Sequence, residues 1–299
     1  MITTYGVGIR ELAACVPEHR EEITDRRFSK IVGIKEKRTA DFDTVVLQHR
    51  AAIELDLSGV KFIISCTQTP SKLIPFNSGI LHHALKLPEA VGTMDIATGC
   101  AGFVLGLATA FNLAMTSQGN VLLVIGDTLS RTTGDHDPAS RLIFGDAATA
   151  CIVEYNPAKY GNAYFSMYTD GENGNAILME HCNKPKIYMD GDKVLEFALN
   201  KVPAAVLEME RSLPPVYNYI FHQSNKMILD SFKDKLVPYW ASMPTSIEMY
   251  GNTSGASIPL TMALSKPQGM TMLCGYGSGL QWGVAAMDLD VDYKEIVEV

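Results

Sequence analysis

Thr93-Met94-Asp95-Ile96-Ala97-Thr98-Gly99-Cys100-Ala101-Gly102-Phe103 joins a short apolar run to a helix of small residues. Met94 to Ala97 reads as a buried strand. Ala101 to Met115, rich in Ala, Leu and Phe and free of Pro, repeats its apolar positions at helical spacing. Cys100 stands at the joint, where Gly99 and Gly102 give a tight turn room and leave backbone amides uncovered. A thiol placed there faces the positive end of the helix dipole, so the expectation is a nucleophilic thiolate near neutral pH. The plain alternative is a small core hydrophobe, as most unpaired cysteines are. Cys66 after Phe62-Ile63-Ile64, Cys151 in Ala150-Cys151-Ile152-Val153 and Cys274 after Met272-Leu273 fit that alternative, while Cys15 and Cys182 sit in less regular stretches.

Outward from this joint, elements alternate. Thr4 to Ala14 reads as a strand, Glu22 to Lys30 as a short polar helix, Asp43 to Leu55 as a helix capped by Asp43, and Val60 to Cys66 as a core strand. Asn77 to Leu85 is a further helix. Val121 to Gly126 is continuously apolar, as a strand buried on both faces would be, and Ala147 to Tyr155 follows as another. The pattern predicts an α/β fold with mainly parallel sheet.

The second half repeats this order. Asn162 to Tyr168 opens it, then come a helix over Asp192 to Leu207, a strand over Val216 to Phe221 ending at His222, and a helix over Lys226 to Leu236. Ser246 to Ala256 mirrors the Cys100 stretch as apolar strand, glycine, polar residue and small-residue helix, with Asn252 in the place of the thiol. Met270 to Cys274 and Trp282 to Leu289 echo the last two strands of the first half. The expectation is a duplicated unit, residues 1–157 and 158–299, whose pseudo-twofold axis brings Cys100, Asn252 and His222 together at strand ends, where ligands bind in such sheets. Singly, His222 reads equally as a hydrogen-bonded core histidine and Asn252 as a helix cap. Jointly the three suit acyl transfer: a sulfur to carry the acyl group and two neutral donors to polarise a carbonyl.

Composition narrows the class. With 299 residues and 47% apolar content the chain can bury a substantial core. A formal charge of -8 argues against a general nucleic-acid binder. No apolar segment is long enough to span a bilayer, Met1 to Tyr5 leads straight into a strand-like run, and six scattered cysteines lack metal or disulfide spacing. The expectation is a reduced, cytoplasmic protein with no membrane segment and no metal site.

Seven stretches together resemble the β-ketoacyl-acyl-carrier-protein synthase III family of the thiolase-like superfamily. They are Gly33-Ile34-Lys35-Glu36-Lys37-Arg38, Thr67-Gln68-Thr69-Pro70, Thr98 to Phe103, Phe144-Gly145-Asp146-Ala147, His222-Gln223-Ser224-Asn225, Tyr250-Gly251-Asn252-Thr253-Ser254 and Gly277 to Gly283. The resemblance implies a duplicated αβαβα five-layer fold and a homodimer. It implies that Cys100 takes an acyl group from a thioester and that malonyl-acyl-carrier-protein then loses carbon dioxide with His222 and Asn252 donating to its thioester carbonyl. The resulting enolate attacks the acyl-Cys100 carbonyl to give a 3-oxoacyl-acyl-carrier-protein, an initiation of fatty-acid or polyketide type. The amides of Cys100 and Ser278 would form the oxyanion hole, Phe103 and Ile74 would line the substrate pocket, Ile74 from the partner subunit, and Arg141 would touch a nucleotide. Asn225 would fix local geometry beyond His222. The only cofactor-like groups implied are the acyl-CoA or acyl-carrier-protein thioesters themselves.

The chain departs from the family pattern in places. Arg26-Arg27-Phe28-Ser29-Lys30 stands where better-known members carry an adenine-stacking tryptophan, the loop Asp135 to Arg141 is short, Ser224 replaces an alanine and Ser278 a glycine. These changes weaken the case for a coenzyme A primer and leave both carriers open, coenzyme A and a carrier protein. Carrier proteins are acidic, so docking needs a local basic face, for which Lys226, Lys233 and Lys235, with Lys30, Lys35, Lys37 and Arg38, are the candidates. Two other readings stay open: an acyltransferase passing the acyl group from Cys100 to an oxygen or nitrogen acceptor, and a non-catalytic partner subunit of a synthase.

Overall fold

The computed structural model describes residues 1–133, 138–180 and 185–299; Cys182 and residues 135–137 of the loop singled out above lie outside the described residues. In chain order the elements are β1 (Ile2–Tyr5), β2 (Val7–Val16), β3 (Arg20–Glu22), α1 (Arg26–Val32), β4 (Glu36–Arg38), α2 (Thr44–Ala52), β5 (Val60–Cys66), α3 (Asn77–Ala84), β6 (Gly92–Ile96), α4 (Gly102–Ser117), β7 (Asn120–Asp127), α5 (Pro138–Ile143) and β8 (Ala147–Tyr155). They continue with β9 (Asn162–Thr169), β10 (Ile177–Met179), β11 (Ile187–Met189), α6 (Gly191–Glu210), β12 (Asn218–Phe221), α7 (Lys226–Leu236), α8 (Ile247–Tyr250), α9 (Ser257–Ser265), β13 (Gly269–Gly277), β14 (Gln281–Leu289), β15 (Asp292–Tyr293) and β16 (Val297–Glu298).

Two sheets carry the fold. The first runs β15-β2-β8-β7-β5-β6, with β16 also on β2, and the second β1-β9-β14-β13-β12. Pairing sense repeats between them: β5 is parallel to β7, β7 antiparallel to β8 and β8 antiparallel to β2, while β12 is parallel to β13, β13 antiparallel to β14 and β14 antiparallel to β9. The sheets are therefore mixed, where the alternating pattern predicted mainly parallel pairing. The expected first strand also divides at Gly6, whose φ of +74° turns the chain from β1 in the second sheet to β2 in the first.

Layering follows from which faces are apolar. α4 is buried nearly all round, at Phe103, Val104, Leu107, Ala108, Ala110, Phe111 and Ala114, as a helix enclosed between sheets must be. It touches β5, β7 and β8 on one side and β13 and β14 on the other, and α9 lies beside it against β2, β8, β12 and β13. α2 and α3 cover the outer face of the first sheet, and α6, contacting β13 and β14 and packed with α7, covers the second. The result is five layers, αβαβα. Phe111 and Phe165 meet edge to face at 5.3 Å in the central layer.

Three local expectations change. β6 is half exposed rather than buried, with Met94 and Asp95 facing out, because among the described residues it ends the first sheet with no strand beyond it. Residues 246–250, expected as a strand, contain a single helical turn: the position beyond β12 holds only an isolated bridge from Asn218 to Ser242, so no neighbour holds the segment extended. Asp43 stands before α2 without a side-chain cap bond, its carboxylate instead accepting from Arg131 at 2.7 Å. No helix among the described residues is long and apolar enough to cross a membrane.

Candidate active site

Cys100 follows the C-terminal end of β6 and precedes α4, at the seam between the two sheets. The last residues of β13 press against it: a Cβ added to Gly277 would lie 2.5 Å from Cys100 Cβ and 3.0 Å from Sγ. Only a residue without a side chain allows that approach. The next residue, Ser278, starts the tight β13–β14 turn, and its hydroxyl accepts from Gln68 Nε2 at 2.6 Å.

His222 lies one residue beyond β12, and its amide donates to Cys274 O at 2.8 Å, continuing the parallel pairing of β12 with β13. Its ring is buried, Nδ1 lies 2.7 Å from Ser257 Oγ, and the ring meets Tyr276 edge to face at 5.2 Å. Tyr276 donates to His222 O at 3.2 Å and pairs with Ser224 Oγ at 2.7 Å, so the hydroxyl of Ser224 joins a network that steadies the histidine backbone. Asn225 caps α7, accepting from Ile228 N at 2.9 Å. Asn252 is held by its backbone against Ile143 and Gly145, and its Oδ1 accepts the Ser254 amide at 2.9 Å, which leaves Nδ2 as the donor face.

One residue that sequence reasoning used only as part of a motif joins the three. Ser254 adopts φ +53°, a left-handed conformation unusual for a side-chain-bearing residue. Its amide holds Asn252, its hydroxyl sits 3.9 Å from Cys100 Sγ, and its backbone touches His222. Cys100, His222 and Asn252 thus surround a single buried residue. Asp127, at the end of β7, is a second such residue: a lone polar residue after an apolar run reads as the start of a loop, yet its side chain is buried beside this group.

Electrostatics depart from the thiolate expectation. Burial pushes the Cys100 thiol up to about 12, with Asp127 adding to the rise and the Ser254 hydroxyl and the Cys100 amide opposing it. Desolvation outweighs the helix terminus, so the resting sulfur carries its proton. Burial likewise lowers His222 to about 3, with a weaker backbone contact from Ser254 acting the other way, which keeps the imidazole neutral.

The remaining sequence candidates fall elsewhere. Phe103 is fully buried in the central cluster. Ile74 is 87% exposed. Arg141 pairs with Glu21 at 3.4 Å. On α7, Lys233 and Lys235 are exposed, and Lys226 is exposed but paired with Asp230 at 2.5 Å. Lys37 and Arg38 drop out as docking residues because both are buried: Lys37 bonds Arg141 O and pairs with Glu21, and Arg38 donates to Pro17 O and pairs with Glu298. A cavity of about 760 Å³ is lined in part by Thr67, Gln68, Leu73, Thr128 and Arg131.

Comparison with known proteins places the chain in a family. The family model described as 3-oxoacyl-acyl-carrier-protein (ACP) synthase III matches residues 94–171, and its C-terminal counterpart matches residues 215–289. A β-ketoacyl-acyl-carrier-protein synthase III of Staphylococcus epidermidis is 30% identical over 305 residues, covering 93% of this chain and 97% of its own length. Among solved structures, a 3-oxoacyl-(acyl-carrier protein) synthase from Burkholderia xenovorans superposes with a TM-score of 0.92 at 26% identity, over 100% of this chain and 98% of its own. A β-ketoacyl-acyl-carrier-protein synthase III from Thermus thermophilus gives 0.87 at 29% identity, over 95% and 99%. With both family models matched in order and a relative this similar along nearly the whole length, the chain belongs to the 3-oxoacyl-acyl-carrier-protein synthase III family.

Proposed function

We propose that this chain catalyses the decarboxylative condensation of an acyl primer, held on Cys100, with malonyl-acyl-carrier-protein, releasing carbon dioxide and a 3-oxoacyl-acyl-carrier-protein. Beyond family membership, the observation that carries the reading is that Ser254 contacts Cys100, His222 and Asn252 at once. Cys100 Sγ attacks the primer thioester, and the amides of Cys100 and Ser278 receive the developing oxyanion. Ser257 Oγ accepts the Gln223 amide at 3.3 Å and lies 2.7 Å from His222 Nδ1; on this reading it donates to that nitrogen, and the ring proton is assigned to Nε2. Nε2–H and Asn252 Nδ2–H then polarise the malonyl thioester carbonyl and hold the enolate after decarboxylation. A histidine lowered to about 3 stays a neutral donor through this step and does not protonate the enolate it serves. No cofactor enters beyond the thioester substrates.

The acyl chain is assigned to the cavity beside Gln68, and the carrier to the exposed Lys233 and Lys235. A second copy is assigned to the open edge of β6, where Met94 is exposed, with exposed Leu73, Ile74 and Phe76 on the segment leading into α3, which packs on β6, so that Ile74 serves the neighbouring subunit. Free buried cysteines suit a reducing, cytoplasmic setting.

Intact-mass measurement after incubation with acyl thioesters tests the assignment: an adduct is expected on wild type and none on Cys100→Ala, and no adduct on wild type would leave the chain a non-catalytic partner. Asn252→Ala should lose on the order of 100-fold or more in condensation rate. Undiminished condensation would exclude the decarboxylating route in favour of transfer to an oxygen or nitrogen acceptor.

A further inference from the structure

An oxyanion hole at Ser278 needs only the backbone amide, yet the residue carries a hydroxyl where the family pattern has glycine. That hydroxyl accepts from Gln68 Nε2 at 2.6 Å, across 210 residues of chain. The bond ties the loop after β5 to the turn after β13.

The two ends of this bond differ in stiffness. Gln68 stands on a fixed base. Its amide donates to Asp127 Oδ1 at 2.7 Å, and its neighbours close on the same oxygen, Thr67 Oγ1 at 2.9 Å and both Thr69 N and Thr69 Oγ1 at 3.1 Å. Thr69 Oγ1 also accepts from Thr128 N at 2.9 Å and lies 2.8 Å from Thr44 Oγ1, so β7 and α2 together hold residues 67–69. The glutamine side chain runs close against the residue before the nucleophile: a Cβ added to Gly99 would fall 2.1 Å from Gln68 Oε1 and 2.7 Å from its Cδ. The turn at the other end is softer. The pairing of β13 with β14 closes at Gly277 and Gln281, and Gly279 between them is exposed at φ +131°. Leu280 and Asp170 exchange backbone bonds at 2.8 and 3.0 Å, and Gln281 Oε1 accepts from Thr98 Oγ1 at 3.4 Å, which fixes the far end of the turn. Ser278, at the near end, is held by Gln68. A donor stabilises an oxyanion only when it is aimed before the charge forms, and a peptide beside glycine rotates easily.

We propose that Gln68 is a positioning residue for the acyl steps: by clamping the Ser278 hydroxyl it fixes the peptide that presents the Ser278 amide to the oxyanion. A glycine at 278 would leave the glutamine nothing to hold. Gln68 acts through Ser278 and not on the substrate carbonyl. The proposal rests on the reading of the Ser278 amide as an oxyanion donor during loading of Cys100.

Two variants and their combination test it. Gln68→Met keeps the length of the side chain and removes its amide; Ser278→Ala removes the hydroxyl and keeps the backbone N–H. Acyl loading of Cys100 is timed by intact mass over a range of acyl thioester concentrations. Alkylation by iodoacetamide is timed beside it, as a reaction at the same sulfur in which no oxyanion forms. In each single variant the maximal loading rate should fall on the order of tenfold at an unchanged half-saturating concentration, while alkylation keeps the wild-type rate. The double variant should load no more slowly than either single one, because both break one contact. Gln68 also lines the cavity assigned to the acyl chain, and Ser278→Ala leaves that wall as it is, so a loss seen in both variants belongs to the turn. Wild-type loading in either single variant, additive losses in the double variant, or an equal fall in alkylation would overturn the clamp, the last because the sulfur itself would then have moved. If Gln68→Met shows no cooperative melting, Ser278→Ala decides alone. A wild type that takes no acyl group refutes the proposed function and the clamp with it, whereas a wild type and variants that load equally well refute the clamp alone.

Discussion

Gly277→Ala is a small change with a large expected effect. The added Cβ would sit 2.5 Å from Cys100 Cβ and 3.0 Å from Sγ, where carbon atoms normally rest about 3.5–4.0 Å apart. About 1 Å of movement is required, and few atoms can supply it. β13 is paired with β14 as far as Gly277 itself and with β12 up to Cys274. The α4 backbone is pressed from below, since a Cβ on Gly275 would already meet Cys100 O at 2.9 Å, and the helix is enclosed by both sheets. The Cys100 side chain must therefore swing. Overpacking of this kind costs about 1–3 kcal/mol, and displacing a reacting atom by about 1 Å costs on the order of 100-fold in rate. Acyl loading of Cys100, timed by intact mass, should fall by that factor while urea unfolding shows the smaller stability loss. Gly161→Ala, where an added Cβ meets nothing within 4 Å, is the neutral control. A Gly277→Ala protein that loads within threefold of wild type would mean that the strand end does not set the position of the sulfur.

Gly106→Ala should destabilise by about 1–3 kcal/mol despite the better helix propensity of alanine, worth about 1 kcal/mol, because the new methyl meets Cys66 Sγ at 2.7 Å and Leu123 Cδ1 at 2.9 Å; unfolding in a Cys66→Ala background should show a smaller penalty. Tyr276→Phe removes the hydroxyl shared by Ser224 and His222 O and should cost about 1–2 kcal/mol, with Ser224→Ala adding little on top; additive losses in the double-variant cycle would separate the two hydroxyls. Alkaline stability gives a third check. Cys15, Cys100 and Cys151 rise from 9.0 to about 12 on burial, so above pH 9 the unfolded chain loses thiol protons that the folded chain keeps. The unfolded state then binds fewer protons, and stability should fall between pH 9 and 12 by up to roughly 1.4 kcal/mol per unit for each thiol. Urea midpoints that hold or rise from pH 8.5 to 10.5 would contradict that.

Elements with a local cause were legible in the residues. β5 is legible to the residue because its short β-branched and aromatic run, centred on Phe62-Ile63-Ile64, has few other structures open to it. The recurrence of the order of elements in the second half was legible as well, although the antiparallel pairing of β13 with β14 was not. What failed depended on distant neighbours. An apolar Met94 looks the same in sequence whether it faces a core or a sheet edge. Residues 246–250 lacked the partner strand that their counterpart has. Lys37 and Arg38 look like surface charge until Glu21 and Glu298, distant in the chain, are found beside them. At the site, that the fold gathers Cys100, His222 and Asn252 is legible in the sequence, but the upward push on the thiol is not, because it depends on burial that three layers impose together.

That burial gives the site its character. α4 and α9 lie side by side between the sheets, and their starts touch: a Cβ on Gly255 would fall 2.6 Å from Gly99 O. Groups placed there are held tightly and kept from water. The same exclusion leaves the sulfur protonated and the imidazole uncharged, so the resting site offers donors but little charge. On the proposed reading this matches the chemistry required. Negative charge develops first on the primer oxyanion and then on the enolate, and each is met by N–H groups already fixed in place. A cationic histidine would bind the malonyl carboxylate in its ground state and oppose its loss as carbon dioxide, whereas a neutral donor aimed at the thioester oxygen gains strength as the enolate forms. A variant that recharges the imidazole, such as Ser257→Asp beside Nδ1, should therefore bind malonyl carrier more tightly while turning it over more slowly. Equal or faster turnover at lower KM would show that neutrality of His222 is incidental to the reaction.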